Sequence, residues 1–129
     1  VAPAKRPFHT IIPGFLMRDG APVASFGVMG GPMQAQGHLQ MTLRTQVWGQ
    51  DPQTAIDAPR WRVIEGLAVA VEPAFGEKVL ADLTARGHQL SLEPPESSFG
   101  FGGAQFVAKI AGGYVAGSDP RKDGAAVGF

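Results

Sequence analysis

The sequence predicts an α+β fold, and three observations carry the prediction. Asp19-Gly20 separates two runs of apolar, β-branched and aromatic residues, the signal of a tight hairpin. Ala104, Phe106, Ala108 and Ile110 alternate with Gln105, Val107 and Lys109, which is a strand period. Helical segments interrupt the strands without regular strand–helix–strand alternation, which disfavours a doubly wound sheet.

Taken in order, Thr10 to Arg18 and Val23 to Met29 read as antiparallel strands joined through Arg18-Asp19-Gly20, with Pro13 at an edge or bulge. Gly30-Gly31-Pro32 follows. Proline suits the first turn of a helix, where its missing N–H costs nothing. That helix is expected from Met33 to Trp48, stopped by Gly49. Met33, Gly37, Met41 and Trp48 mark one face, and Ala35, Leu39, Leu43 and Val47 mark another, so the helix should be well buried. Gly37 is costly inside a helix and implies a close backbone contact. Asp51-Pro52 is a cap followed by a first-turn proline, opening a short helix that Pro59 ends. Strands follow at Arg60 to Ile64 and Leu67 to Val71. Glu77 to Arg86 is an amphipathic helix with Val79, Leu80 and Leu83 inward and Gly87 as its stop. His88 to Leu92 is a short strand and Glu93 to Gly103 a loop. Gly112-Gly113 turns the chain into a last strand, Tyr114 to Ala116.

Composition narrows the function. With 129 residues and 44% hydrophobic content the chain can bury a core, and it reads as one domain or a fragment of one. Its 11 basic and 11 acidic residues cancel, which argues against nucleic acid and against an anionic membrane surface as partners. No apolar run approaches the roughly 20 residues that span a bilayer, and no signal peptide is visible. The absence of cysteine excludes disulfides and thiolate chemistry. A soluble protein is expected; the compartment stays open, with the cytoplasm preferred over the periplasm. The start at Val1 points to trimming or processing.

Most catalytic signatures fail. His9, His38 and His88 lie far apart with no second ligand at helical spacing, so no metal is expected, and no cofactor motif stands out. Gly100-Phe101-Gly102-Gly103-Ala104-Gln105 imitates a phosphate loop, but the third glycine would fall at Gln105 and a strand follows instead of a helix; it reads as a flexible hairpin loop. No G-x-S-x-G is present. One junction has catalytic logic: at Met29-Gly30-Gly31-Pro32 a strand ends, two glycines free the backbone, and a helix begins. The first N–H groups of a helix lack internal partners, and two of them together are what an oxyanion hole requires. A plain tight turn has the same sequence.

Four motifs, in one order, cover nearly the whole chain: Lys5-Arg6-Pro7-Phe8-His9-Thr10-Ile11-Ile12-Pro13, Phe26-Gly27-Val28-Met29-Gly30-Gly31, Asp57-Ala58-Pro59-Arg60, and Gly117-Ser118-Asp119-Pro120-Arg121 with Asp123-Gly124. Together they resemble the γ-glutamyltransferase family. The resemblance implies part of an N-terminal-nucleophile hydrolase, an αββα sandwich whose precursor cleaves itself to expose a threonine. It assigns Gly30 and Gly31 to the oxyanion hole. It aligns His9 and Thr10 with a pair of serines that bind the donor's α-carboxylate. That departure puts glutathione as the donor in question. The resemblance also places the nucleophile upstream, so this chain alone is expected to be inactive. Its expected partners are the nucleophile-bearing remainder of the protein, a further copy of itself, and a γ-glutamyl or related acyl amide. Arg60 is expected to pair a carbonyl or carboxylate, and Asp119, Arg121 and Asp123 to hold a turn. An isolated segment should leave apolar sheet and helix faces exposed. The rival expectation is a non-catalytic binding or assembly module that keeps the family core.

Overall fold

The computed structural model describes residues 1–95 and 100–128 and divides its strands between two sheets. Strands β1 (Gly14–Arg18) and β2 (Ala21–Met29) form the hairpin. Asp19 and Gly20 both take positive φ, 51° and 77°, the twist that suits a two-residue turn between antiparallel strands. The first strand is shorter than expected. Residues 10–13 carry no strand and are exposed, because Pro13 has no N–H to give a ladder. The irregularity lies later, between Leu16 and Met17, where Met17 pairs with Pro22. Strands β3 (Trp61–Glu65), β4 (Ala68–Val71) and β5 (Gln89–Leu92) build the smaller sheet. Strands β6 (Gly103–Ile110) and β7 (Gly113–Ser118) complete the larger one, in the order β1-β2-β6-β7, antiparallel throughout.

One face of the large sheet holds the core. Ala24, Phe26, Val28, Ala104 and Phe106 pack with Met41, Ala55 and Ile56, which come from the helices α1 (Met33–Thr42) and α2 (Pro52–Asp57). The Phe26 and Phe106 rings stack 5.2 Å apart. Gly37 makes the close approach expected of it: a methyl there would sit 2.5 Å from Val28 Cγ1. Past Thr42 the helix widens into a π-helical turn, Leu43–Val47, in which Trp48 N–H donates to the Leu43 carbonyl at 3.0 Å. Burial of the helix is therefore one-sided. Met33, Gly37 and Met41 are inside, while Leu39, Val47 and Trp48 face out, and the Arg44 guanidinium lies 5.7 Å above the Trp48 ring.

A polar face of α1, absent from the sequence expectations, joins the two sheets. Gln40 donates to the Trp61 carbonyl at 2.8 Å and accepts from Trp61 N–H at 3.2 Å. Gln36, one turn earlier, does the same for Val63, at 3.2 and 2.7 Å. The two amides act as a substitute strand along the open edge of β3, which would otherwise offer unpaired backbone groups to any passing strand. Gln53 of α2 closes Ser118 on β7 in the same manner.

Helix α3 (Glu77–Ala85) links β4 to β5, which run parallel, so one strand–helix–strand unit is present. None of its side chains is fully buried; Leu80 and Leu83 are half-buried, and Val79 faces solvent instead of inward. The second face of the large sheet is also uncovered, with Phe15, Val107 and Tyr114 exposed around a shallow hollow of about 300 Å³. Residues 96–99 of the predicted loop lie outside the described residues.

Candidate active site at a glycine junction

Strand β2 ends at Met29, which faces Gly103, and Met33 begins α1. Gly30 and Gly31 span the gap with φ of 127° and 58°, values that L side chains adopt only under strain. Their carbonyls are committed, accepting from Met33 N–H at 3.1 Å and Gln34 N–H at 3.0 Å. Neither glycine N–H donates to a group among the described residues. Gly30 is buried and Gly31 exposed. Pro32 follows with φ −60°, already helical, as expected for a residue that starts a helix without an N–H.

The structure brings the Thr10 carbonyl to this junction. Gln34 connects them: its backbone N–H bonds Gly31, and its side-chain amide donates to the Thr10 carbonyl at 3.0 Å. His9 and Thr10 are both exposed, and neither side chain has a hydrogen bond among the described residues. Ile11, Ile12, Pro13, Met29, Gln34 and Gln105 line a hollow of about 500 Å³ beside the glycines, and none of its lining residues is charged. Sequence reasoning missed Gln34 and Gln105; a glutamine in the first turn of a helix, or on a strand, gives no local signal of what it will reach.

It also misread the glycine-rich segment before β6. Phe101, Gly102 and Gly103 are buried, so the flexible-loop expectation is overturned for them. A methyl on Gly30 would come within 2.9 Å of Gly102 Cα, and one on Gly102 would overlap the Met29 carbonyl oxygen. Two backbones touch here, and a side chain on either would part them.

Behind Gly102 lies a closed set of charges. Arg60, fully buried, donates to Asp119 at 2.6 Å, to the Phe101 carbonyl at 3.0 Å and to the Ile56 carbonyl at 3.4 Å. Asp119 also accepts from Ala104 N–H and Arg121 N–H. Arg121 spreads over Glu72, Asp119 and the carbonyls of Ile56 and Ala58. Burial pushes the Asp119 carboxyl up, but the Arg60 charge, the two N–H bonds and the Arg121 charge outweigh it and hold the acid below the ordinary carboxylate range. Arg60 goes the other way: burial lowers its pKa more than Asp119 restores it. The short contact and the persistence of the guanidinium charge at any ordinary pH decide in favour of an ionised pair. Arg121 ends above its usual value despite burial, because of Glu72. Every Arg121 nitrogen is engaged, while Arg60 Nε is buried without a partner among the described residues. Asp57-Ala58-Pro59-Arg60 and Gly117-Ser118-Asp119-Pro120-Arg121, two separate motifs in the sequence, are one assembly in space.

Two further histidine observations matter. His38 Nε2 accepts from Val28 N–H at 3.1 Å, beyond the point where β1 has ended, and its ring lies 4.9 Å from that of Phe26. Burial lowers its pKa, which favours the neutral acceptor form. Among the described residues no three His, Asp or Glu side chains come together as a metal site would need.

The family profile described as gamma-glutamyltranspeptidase matches residues 1–129. The chain belongs to the γ-glutamyltranspeptidase family. It is 34% identical, over 98% of its length, to the glutathione hydrolase-like YwrD proenzyme of Bacillus subtilis strain 168, and 30% identical over its whole length to the oxamate amidohydrolase proenzyme of Klebsiella pneumoniae. It spans only 25% of each of these relatives. The crystal structure of cephalosporin acylase from Bacillus halodurans superposes on 97% of the chain with a TM-score of 0.84 at 43% identity, covering 23% of the acylase chain. The two-sheet α+β arrangement is thus part of the N-terminal-nucleophile hydrolase sandwich of the γ-glutamyltranspeptidases. Among the described residues no helix is long and apolar enough to cross a membrane.

Proposed function

We propose that this chain supplies the oxyanion hole and one wall of the acyl-donor pocket of an acyl-amide hydrolase or transferase, and that turnover requires a nucleophilic threonine carried by the rest of the protein. The Gly30–Gly31 junction carries the reading: two N–H groups that donate to nothing among the described residues, on a buried and an exposed glycine at the start of a helix, beside an uncharged hollow. In the reaction the threonine hydroxyl attacks the amide carbon and its proton passes to the threonine's own α-amino group. Negative charge develops on the carbonyl oxygen, where preorganised backbone donors stabilise it most. The amine leaves with the proton, and water or an acceptor amine then resolves the acyl-enzyme.

The donor is a γ-glutamyl group or a related acyl group. His9-Thr10 in place of a serine pair and the uncharged lining of the hollow support a donor other than glutathione. Relatives named as a glutathione hydrolase-like proenzyme, an oxamate amidohydrolase proenzyme and a cephalosporin acylase support a variable acyl group around one framework. Both curated relatives are named as proenzymes, which supports a longer precursor.

The test compares this chain with the longer protein encoded by the full gene, on a γ-glutamyl anilide and a glutaryl amide. Activity confined to the longer form, and lost when Gly30 and Gly31 carry bulky side chains, is the expected result. Turnover of neither amide by either form would leave a binding or assembly module instead.

A further inference from the structure

Resting on the oxyanion reading just given, we infer that Gly102 is a positioning residue for that hole, aiming the Gly30 N–H from the opposite edge of its peptide unit. The Met29–Gly30 peptide is trans and planar, so its carbonyl and its N–H point in opposite directions. The Met29 carbonyl faces the Gly102 backbone so closely that a methyl on Gly102 would overlap it. Fixing that carbonyl fixes the N–H on the far side. Gly30 itself closes the contact, since its own missing Cβ would lie 2.9 Å from Gly102 Cα. Each glycine is small for the sake of the other.

Gly102 needs a rigid support to act this way, and the buried charges supply it. Arg60 donates to the carbonyl of Phe101, the peptide that leads into Gly102, at 3.0 Å. Asp119 accepts from Ala104 N–H at 2.6 Å, two residues beyond. Arg60 and Asp119 are bonded to each other, so Gly102 sits between two clamped points. Its φ of 70° is the bend that lets the segment turn from one clamp to the other. A displacement of this peptide by a fraction of an ångström would misdirect the donor, and catalysis is sensitive to errors of that size.

The test uses the full-length protein, with rates normalised to the nucleophile titrated by a burst of released amine. Gly102→Ala is expected to lower kcat by about 10- to 100-fold while KM changes less than about twofold, as for a donor that acts in the transition state. Gly112→Ala is the control for backbone strain, because its φ of 79° matches and a methyl there meets nothing within 4 Å. It should leave kcat unchanged. Arg60→Lys, which keeps the charge opposite Asp119 but gives up the guanidinium fork, should lower kcat in the same sense with KM unchanged. A folded Arg60→Lys or Gly102→Ala protein with normal kcat would overturn the inference. So would loss of folding in both, which would make Gly102 a packing residue only. Gly30→Ala separates the two levels. If it retains full kcat the oxyanion reading itself falls; if it loses kcat while Gly102→Ala does not, only the positioning role of Gly102 falls.

Discussion

The glycine junction and the charge cluster behind it are opposites in composition and in what they do. The junction has no charge and no side chain, yet its two glycine N–H groups donate to nothing among the described residues. The cluster gathers Arg60, Glu72, Asp119 and Arg121, and spends its hydrogen bonds internally and on backbone carbonyls. A buried ion network that spends most of its bonds within itself acts as a frame, and of the Arg60 and Arg121 guanidinium nitrogens only Arg60 Nε lacks a partner among the described residues.

The widest separation between the two regions should come from Asp119→Ala. It leaves the Arg60 charge buried without its partner, a loss of about 3–5 kcal/mol of stability, read from urea unfolding of the full protein. Next, Gly31→Val puts a side chain at an exposed position with φ 58°, where a methyl meets nothing within 4 Å but the backbone must turn, and so misdirects one N–H. The expected result is a fall in kcat of about 10²- to 10³-fold, worth roughly 2.7–4 kcal/mol in the transition state, with a smaller shift of the unfolding midpoint than Asp119→Ala gives. Equal stability losses in these two variants would erase the distinction drawn here.

Smaller effects sharpen it. Gly37→Ala forces a methyl against Val28 and should cost about 1–3 kcal/mol; pairing it with Val28→Ala should recover part of that, giving a non-additive cycle. His38 gives a pH signature. Its folded pKa is lowered by burial, so the unfolded chain binds the proton more readily. The stability it contributes is present above the ordinary histidine value of about 6.5 and is lost as pH falls below it. His38→Gln should flatten the stability profile in that window, measured by thermal unfolding across pH. Last, Arg86→Ala removes an exposed pair with Asp82 at 2.8 Å on α3, and no measurable change in unfolding is expected. A charged pair counts here only where it is buried.

Local chemistry was legible wherever a few neighbouring residues decide it. Asp19-Gly20 announced the hairpin, and Asp51 caps α2 by accepting from Gln53 and Thr54 N–H at 3.0 Å each. Gly37 announced a close approach without naming Val28. Errors arose where one residue overrode its surroundings or where partners were distant. Pro13 cut short a strand that the apolar pattern extended to Thr10. The second apolar stripe on α1 promised burial that the described residues do not supply. Phe101-Gly102-Gly103 read as flexible because its restraint comes from Arg60, 41 residues away.

By itself the sequence determined the α+β class, most of the elements and the family, and it singled out the glycine junction as the candidate site. These follow from periodicity, caps and turn residues, all of them interactions within a few positions along the chain. Only the tertiary structure decided that Arg60 meets Asp119 across 59 positions, that glutamines of α1 close the edge of β3, and that Gly102 lies against Gly30. Such contacts depend on how sheets and helices stack, and backbone-to-backbone packing between glycines has no side chain through which a sequence could signal it.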